Sequence, residues 1–170
     1  MKSYKKQFLT EAEVLDLIEN PIPGERFAGI YSKLIKIIYY TAGRPREIIN
    51  LKRKDIDLNK NVMTLGGTAK SPHRYRTIPI ATVILDDLKQ LLKADGTTYL
   101  FSFKKRGIEK QASMTTLTHR MRERATALGI KKKIYPYGLR HAGIARMVEA
   151  LVMSPTDITT LTDIKVYYES

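Results

Sequence analysis

The apolar pattern of this 170-residue chain changes period partway along, and that change limits the architectures open to it. From Phe27 to Tyr40, the residues Phe27, Ile30, Tyr31, Leu34 and Ile38 recur at helical spacing. Beyond "PREIINL" the pattern becomes short and strand-like, with "NVMTL" and "YRTIPI" flanking a Gly-rich, basic connection, "GGTAKSPHR". Helical spacing returns in "TVILDDLKQLLKA", "MTTLTHRMRERATALGI" and "YGLRHAGIARMVEAL". The expected fold is α+β and mainly helical, with a small antiparallel sheet early in the chain.

Local signals set the boundaries. Thr10 and Glu13 have capping-box spacing ahead of "EAEVLDLIEN", and Pro21 and Pro23 end that helix. Gly43 breaks the long helical run, and Pro45 suits the first turn of the next helix. "TYLF" reads as a further short strand. Leu117, Met121, Ala125 and Leu128 share one face of a helix that Gly129 terminates. Leu139, Ile144, Met147, Val148 and Leu151 have spacings compatible with one buried face. Ser154-Pro155 opens a last short helix, "SPTDITTLTDI". There is no internal repeat, and the length fits one domain over residues 1–170.

Composition narrows the function. An apolar fraction of 43% supports an ordinary core and argues against disorder. No apolar run reaches the ~20 residues that cross a bilayer, and "MKSYKKQFLT" lacks a signal peptide's apolar region. There is no cysteine, which excludes disulfides and thiolate metal sites. An intracellular protein is expected, in cytoplasm or nucleoid, without a membrane partner. Thirty basic against seventeen acidic residues give a net charge of +13, a field that favours a polyanion. A merely soluble basic domain, or a basic RNA-binding or ribosome-associated protein, would also explain the charge. The clusters Lys52-Arg53-Lys54, His73-Arg74-Arg76, Lys104-Lys105-Arg106, Arg120-Arg122-Arg124 and Lys131-Lys132-Lys133 are candidate phosphate contacts. Arg53, Lys54, Arg74, Arg76, Lys105 and Arg120 are the strongest of these for double-stranded DNA.

His73, His119 and His141 are scattered, and no cluster has metal-ligand spacing. Neither a P-loop nor a dinucleotide fingerprint is present. No metal or cofactor is expected. Arg44, Lys70, Arg140 and the tandem Tyr167-Tyr168 do suggest phosphate chemistry. Two arginines can clamp a phosphodiester through planar donor pairs and stabilise the charge of a pentavalent transition state. A lysine can protonate a leaving alkoxide, and a tyrosine can attack phosphorus and hold it covalently. Taken one at a time, each signal is weak: an arginine on a basic protein is usually a solvated charge, and paired tyrosines are usually packing.

Three motifs in order carry a resemblance. "YYTAGRPREIINLKRKDIDL" resembles the first box of the tyrosine recombinases, the phage-integrase family, where T-G-x-R-x-x-E precedes a leucine and an Asp-Ile. "TAKSPHRYRTIPI" is similar to the family's β-hairpin, and "YPYGLRHAGIARMVEAL" resembles its second box, P-H-x-L-R-H. The resemblance runs from Leu9 to about Leu151. It implies that Arg44, Lys70 and Arg140 are catalytic, with Glu47 supporting Arg44 from behind and Tyr137 and His141 on the second box's histidine positions. "DIKVYYES" is similar to the family's nucleophile segment, which favours Tyr167, with Tyr168 as the alternative.

The same resemblance implies a mainly helical catalytic domain with a three-stranded antiparallel sheet. It implies site-specific recombination or integration of duplex DNA through a 3′-phosphotyrosyl intermediate, by a homo-oligomer (a tetramer) assembled on DNA. The N-terminal core-binding domain of a full-length member is expected to be absent. The chain departs from the pattern in three ways. Tyr137 stands where the second box has histidine. Neither histidine nor tryptophan follows His141. The interval from Arg140 to Tyr167 is shorter than usual. These departures favour an alternative, a catalytically impaired DNA-binding module on the same scaffold. Retention of Arg44, Lys70 and Arg140 favours the strand-transferase.

Overall fold

The computed structural model describes residues 8–68, 70–94 and 97–153. The fold is mainly helical α+β with a three-stranded antiparallel sheet. Helix α1 (Glu11–Glu19) starts at Thr10, whose hydroxyl accepts the Glu13 N–H at 3.2 Å. The Glu13 carboxylate returns the bond to the Thr10 N–H at 2.9 Å. Helix α2 (Ala28–Thr41) is the hub. Tyr31, Leu34, Ile35, Ile37, Ile38 and Tyr39 are all buried, so it is covered on most sides, by α1, α4 and α6.

Helix α3 (Pro45–Ile49) and a single 3-10 turn (Arg53–Asp55) lead into β1 (Ile56–Asp57), β2 (Val62–Thr68) and β3 (Ser71–Pro79), paired in the order β1-β2-β3. Register runs from Val62 opposite Pro79 to Gly66 opposite Tyr75, then shifts before Thr68 meets Ser71. Met63, Leu65 and Ile78 point into the core, as strand alternation requires. Helix α4 (Thr82–Leu92) adds Ile84, Leu88 and Leu91 to the same core. Helix α5 (Met114–Leu128) is capped by Ser113 and ends at Gly129 in the left-handed region, φ 73°. Helix α6 (Pro136–Met153) closes over α2.

Two local expectations need correction. "TYLF" is not a strand: Tyr99 makes one isolated bridge to Lys52, while Leu100 and Phe101 turn into the core. A separate hairpin follows it, β4 (Ser102–Lys105) with β5 (Ile108–Gln111). Its turn, Arg106-Gly107, has φ of 54° and 76°, the doubly positive geometry that matches strand twist in two-residue hairpins. Val148 does not share the buried face of α6. It is 40% exposed, and the buried apolar side chains of this helix include Leu139, Ala142 and Ile144, all in its first half. The reason is that only the first half of α6 lies under the other helices. The expected helix "SPTDITTLTDI" lies outside the described residues. No helix among those described is long and apolar enough to cross a membrane.

Candidate active site

The α2–α3 junction is built to present Arg44. The Thr41 hydroxyl donates to the Ile37 carbonyl at 2.6 Å and accepts the Gly43 N–H at 3.1 Å, closing the end of α2. Ala42 then adopts φ 51°, reversing the chain. A Cβ on Gly43 would lie 2.7 Å from Ile48 Cδ1, so a side chain there would have to displace Ile48. Arg44 follows in extended conformation, and Pro45 starts α3 with φ already fixed and no N–H to satisfy.

Glu47 lies one turn into α3, with its side chain only 4% exposed. Its Oε2 accepts the Arg44 backbone N–H at 3.2 Å, and its Oε1 accepts Arg44 Nη1 at 3.4 Å. Arg76 on β3 binds it more closely, Nη1 to Oε1 and Nη2 to Oε2, both at 2.8 Å. Burial alone would raise the Glu47 pKa. The Arg76 fork, the Arg44 N–H and the Arg44 charge outweigh burial and hold the carboxyl below its ordinary value.

Arg44, Arg46, Glu47, Thr68, Lys70, Ser71, Arg76 and Tyr137 line one open cleft of about 980 Å³, together with His73, Arg74 and Tyr75 of β3. Lys70 stands exposed in the turn between the paired residues Thr68 and Ser71. The register shift beside it needs glycine: a Cβ on Gly66 (φ 137°) would fall 2.0 Å from the Arg74 carbonyl. Such a bulge bends the hairpin and re-aims its tip.

Arg140, near the start of α6, is 9% exposed and does not line the cleft. Burial first, then the charges of Arg44 and Arg76, lower its pKa, while Glu47 and Tyr137 oppose the change. All four of those neighbours line the cleft, so Arg140 sits within electrostatic reach of it. A guanidinium stays cationic through such a shift. Tyr137, one turn ahead of Arg140, is 44% exposed on the cleft wall. His141 is half-buried with its ring tilted against Phe8, centroids 5.8 Å apart. Tyr167 and Tyr168 lie outside the described residues. Among the described residues no group of three or more His, Asp or Glu could hold a metal ion.

The other basic residues divide into two kinds. Lys54, Arg74 and Lys105 are exposed. Arg53 is turned inward, its Nε on Thr97 Oγ1 (3.0 Å) and its two terminal nitrogens on the carbonyls of Leu92 (2.7 Å) and Leu91 (3.0 Å). Arg120 faces Glu123 at 3.4 Å and Glu25 at 3.9 Å. Arg124, from the same sequence cluster, is fully buried. It binds the Glu25 carboxylate at 3.0 and 2.7 Å, the Leu17 and Ala28 carbonyls, and the Ser32 hydroxyl. Sequence reasoning missed that network and the Arg76–Glu47 fork. Both join residues distant in sequence, and no local spacing announces them.

A mainly helical domain with a short three-stranded sheet, bearing arginines and a hairpin lysine around one basic cleft, defines a narrow class. The model of the phage integrase family matches residues 7–161, and the chain belongs to that family. The tyrosine recombinase XerA of Pyrococcus furiosus is 35% identical over 144 residues, 83% of this chain and 48% of that protein. The tyrosine recombinase XerD of Pseudomonas putida is 28% identical over 142 residues, 79% of this chain and 46% of the relative. The chain thus spans about half the length of the curated relatives it matches. A crystal structure of XerA recombinase superposes with TM-score 0.70 at 22% identity, over 96% of this chain and 56% of the other. XerH site-specific recombinase, bound to its difH substrate in a pre-cleavage complex, superposes with TM-score 0.64 at 20% identity, over 84% of this chain and 43% of the other.

Proposed function

We propose that residues 1–170 form the catalytic domain of a site-specific DNA recombinase, which cuts and rejoins duplex DNA through a 3′-phosphotyrosyl intermediate. The observation that carries this reading is the shared cleft of Arg44 and Lys70, with Arg140 buried within electrostatic reach of it. In this reading Arg44 and Arg140 neutralise the non-bridging oxygens of the scissile phosphate. The Tyr167 oxygen, or that of Tyr168, gives its proton to water and bonds to phosphorus. The bond from phosphorus to the 5′ oxygen breaks, and Lys70 supplies that oxygen's proton. A 5′-hydroxyl of a second strand then reverses the steps, releasing the tyrosine and sealing the new junction. Nothing in this sequence of steps needs a metal or a redox cofactor.

Duplex DNA is the substrate and partner, and a homo-tetramer on DNA supplies the second strand's active sites. The names of structural neighbours support the DNA part of this reading, among them XerH on its difH substrate and a Tn1549 transposon integrase in complex with circular intermediate DNA. The protein works inside the cell, in cytoplasm or nucleoid.

A duplex nicked near the cleavage point traps the covalent intermediate and tests the reading. The parent is expected to form a protein–DNA adduct. Tyr167→Phe should abolish it and Tyr168→Phe should not. A parent that binds duplex yet never forms the adduct overturns the enzyme reading in favour of an inactive DNA-binding module, which Tyr137 in place of histidine favours.

A further inference from the structure

One forked ion pair joins the strand leaving the Lys70 hairpin to the helix that follows Arg44. We propose that Arg76 is a positioning residue of this site. It engages Glu47 so that Glu47 orients Arg44 without neutralising it. The proposal rests on the phosphodiester-cleaving reading above and assigns Arg76 a task other than phosphate contact.

The distances rank the contacts. Each Glu47 oxygen has two donors. Oε1 accepts Arg76 Nη1 at 2.8 Å and Arg44 Nη1 at 3.4 Å. Oε2 accepts Arg76 Nη2 at 2.8 Å and the Arg44 backbone N–H at 3.2 Å. In each case Arg76 is nearer. Two parallel bonds from one planar guanidinium fix the carboxylate plane as well as its position. The plane in turn sets where Arg44 meets its second contacts. At 4% exposure Glu47 has little water to turn to, so loss of the fork leaves a buried anion whose remaining described hydrogen bonds come from Arg44, with the Arg140 charge nearby. Glu47 and Arg44 would close into a tight pair. Arg44 would then offer an incoming phosphate a charge already neutralised. The same fork holds β3 against α3, and so fixes the Lys70 hairpin relative to the Arg44 junction.

Lysine cannot reproduce the fork, although it keeps the charge. Arg76→Lys is therefore expected to bind duplex DNA within about twofold of the parent and with the same salt slope. Its adduct formation on the nicked substrate should fall roughly ten- to a hundredfold, as small misplacements of catalytic groups do. Arg76→Ala should fall at least as far, and adding Glu47→Gln to it should recover part of the rate by removing the anion that closes on Arg44. Hydrogen exchange at the Arg44 backbone amide, read by NMR on each melting-checked variant, should speed up in Arg76→Lys. Three results overturn the proposal: parental cleavage by Arg76→Lys, an Arg76→Ala defect explained by binding with its salt slope lower by about one, or no recovery in the double variant. If the parent forms no adduct, the recombinase reading fails separately. The Arg44 amide then decides the matter, faster exchange supporting the positioning role and unchanged exchange overturning it.

Discussion

Gly143 on α6 and the carbonyl of Tyr39 on α2 approach so closely that no side chain fits between them. A Cβ at position 143 would lie 2.2 Å from that oxygen. Arg146, one turn on, reinforces the crossing: it reaches the Tyr40 carbonyl at 3.4 Å and covers the Tyr40 ring at 4.9 Å. Arg140 lies one turn before Gly143 on the same helix, so this crossing also bears on where Arg140 sits.

Gly143→Ala therefore pits two effects against each other. Alanine gains about 1 kcal/mol of helix propensity over glycine. The clash is with backbone rather than a side-chain tip, so α6 must move, at about 1–3 kcal/mol. A lower melting temperature is expected, with adduct formation falling more than DNA binding. An unchanged melt would show that α6 shifts freely on α2.

Arg124 and Glu25 form the most deeply buried ion pair described, 0% and 1% exposed at 2.7 Å. Burial would raise the Glu25 pKa, but the Arg124 hydrogen bonds and charge bring it below its ordinary value of 4.5. A depressed folded pKa contributes stability that is present above the ordinary value and lost as pH falls through the lowered one. Glu25→Gln should flatten the acid limb of a stability–pH curve below about pH 4.5. Arg124→Met leaves the buried carboxylate with the Ile22 N–H and the more distant Arg120, and should cost about 3–5 kcal/mol at neutral pH, measured by urea unfolding.

Basic residues close in sequence should behave differently in DNA titrations. Arg74→Ala, Lys54→Ala and Lys105→Ala remove exposed charges, and each that meets a phosphate should lower the salt slope by about one. Arg53→Ala should leave the slope alone and lower stability instead, because its nitrogens hold the end of α4 to Thr97. A lower slope without a lower melting temperature would reverse that assignment.

Lys70→Ala separates proton donation from phosphate contact. The side chain is exposed at the hairpin tip and lines the cleft, so its loss should leave folding intact. Cleavage is expected to slow by roughly 10²–10⁴, the usual range for general acid–base groups, with DNA affinity nearly unchanged. A substrate with a 5′-thio leaving group needs no proton and should recover most of the rate. Failure of that rescue would leave Lys70 as a phosphate contact only.

The helices, their caps and the β2–β3 hairpin were legible because each signal is local: a capping pair three residues apart, a glycine after a helix, alternation along a strand. Two of the residues around the cleft were legible through type and order, Arg44 and Lys70, whereas Arg140 is buried and does not line it. What stayed hidden is long-range pairing. Nothing near Arg76 says that its fork closes on Glu47, 29 residues earlier, and nothing near Arg124 says that its partner is Glu25. The cluster Arg120-Arg122-Arg124 reads as candidate phosphate contacts, yet Arg124 is sealed inside while Arg122 donates to the Ile134 carbonyl. The β4–β5 hairpin escaped because Lys104, Lys105 and Arg106 carry no apolar alternation.

Tyr137 gives the most direct test of how the cleft works. It lines the wall one turn from Arg140, at the position where the second box has histidine. A phenol can donate one hydrogen bond to a phosphate oxygen but does not exchange its proton near neutral pH. Tyr137→Phe keeps the ring and removes that donor, so adduct formation should fall by roughly tenfold, with stability unchanged because the side chain is 44% exposed. Tyr137→His restores a donor and adds a group that titrates near neutrality. Its cleavage rate should match or exceed the parent's and should acquire a dependence on pH around 6 to 7 that the parent lacks. Parental rates in both variants would mean that the hydroxyl does not meet the phosphate. The work at that edge of the cleft would then fall to Arg140 and Arg44 alone.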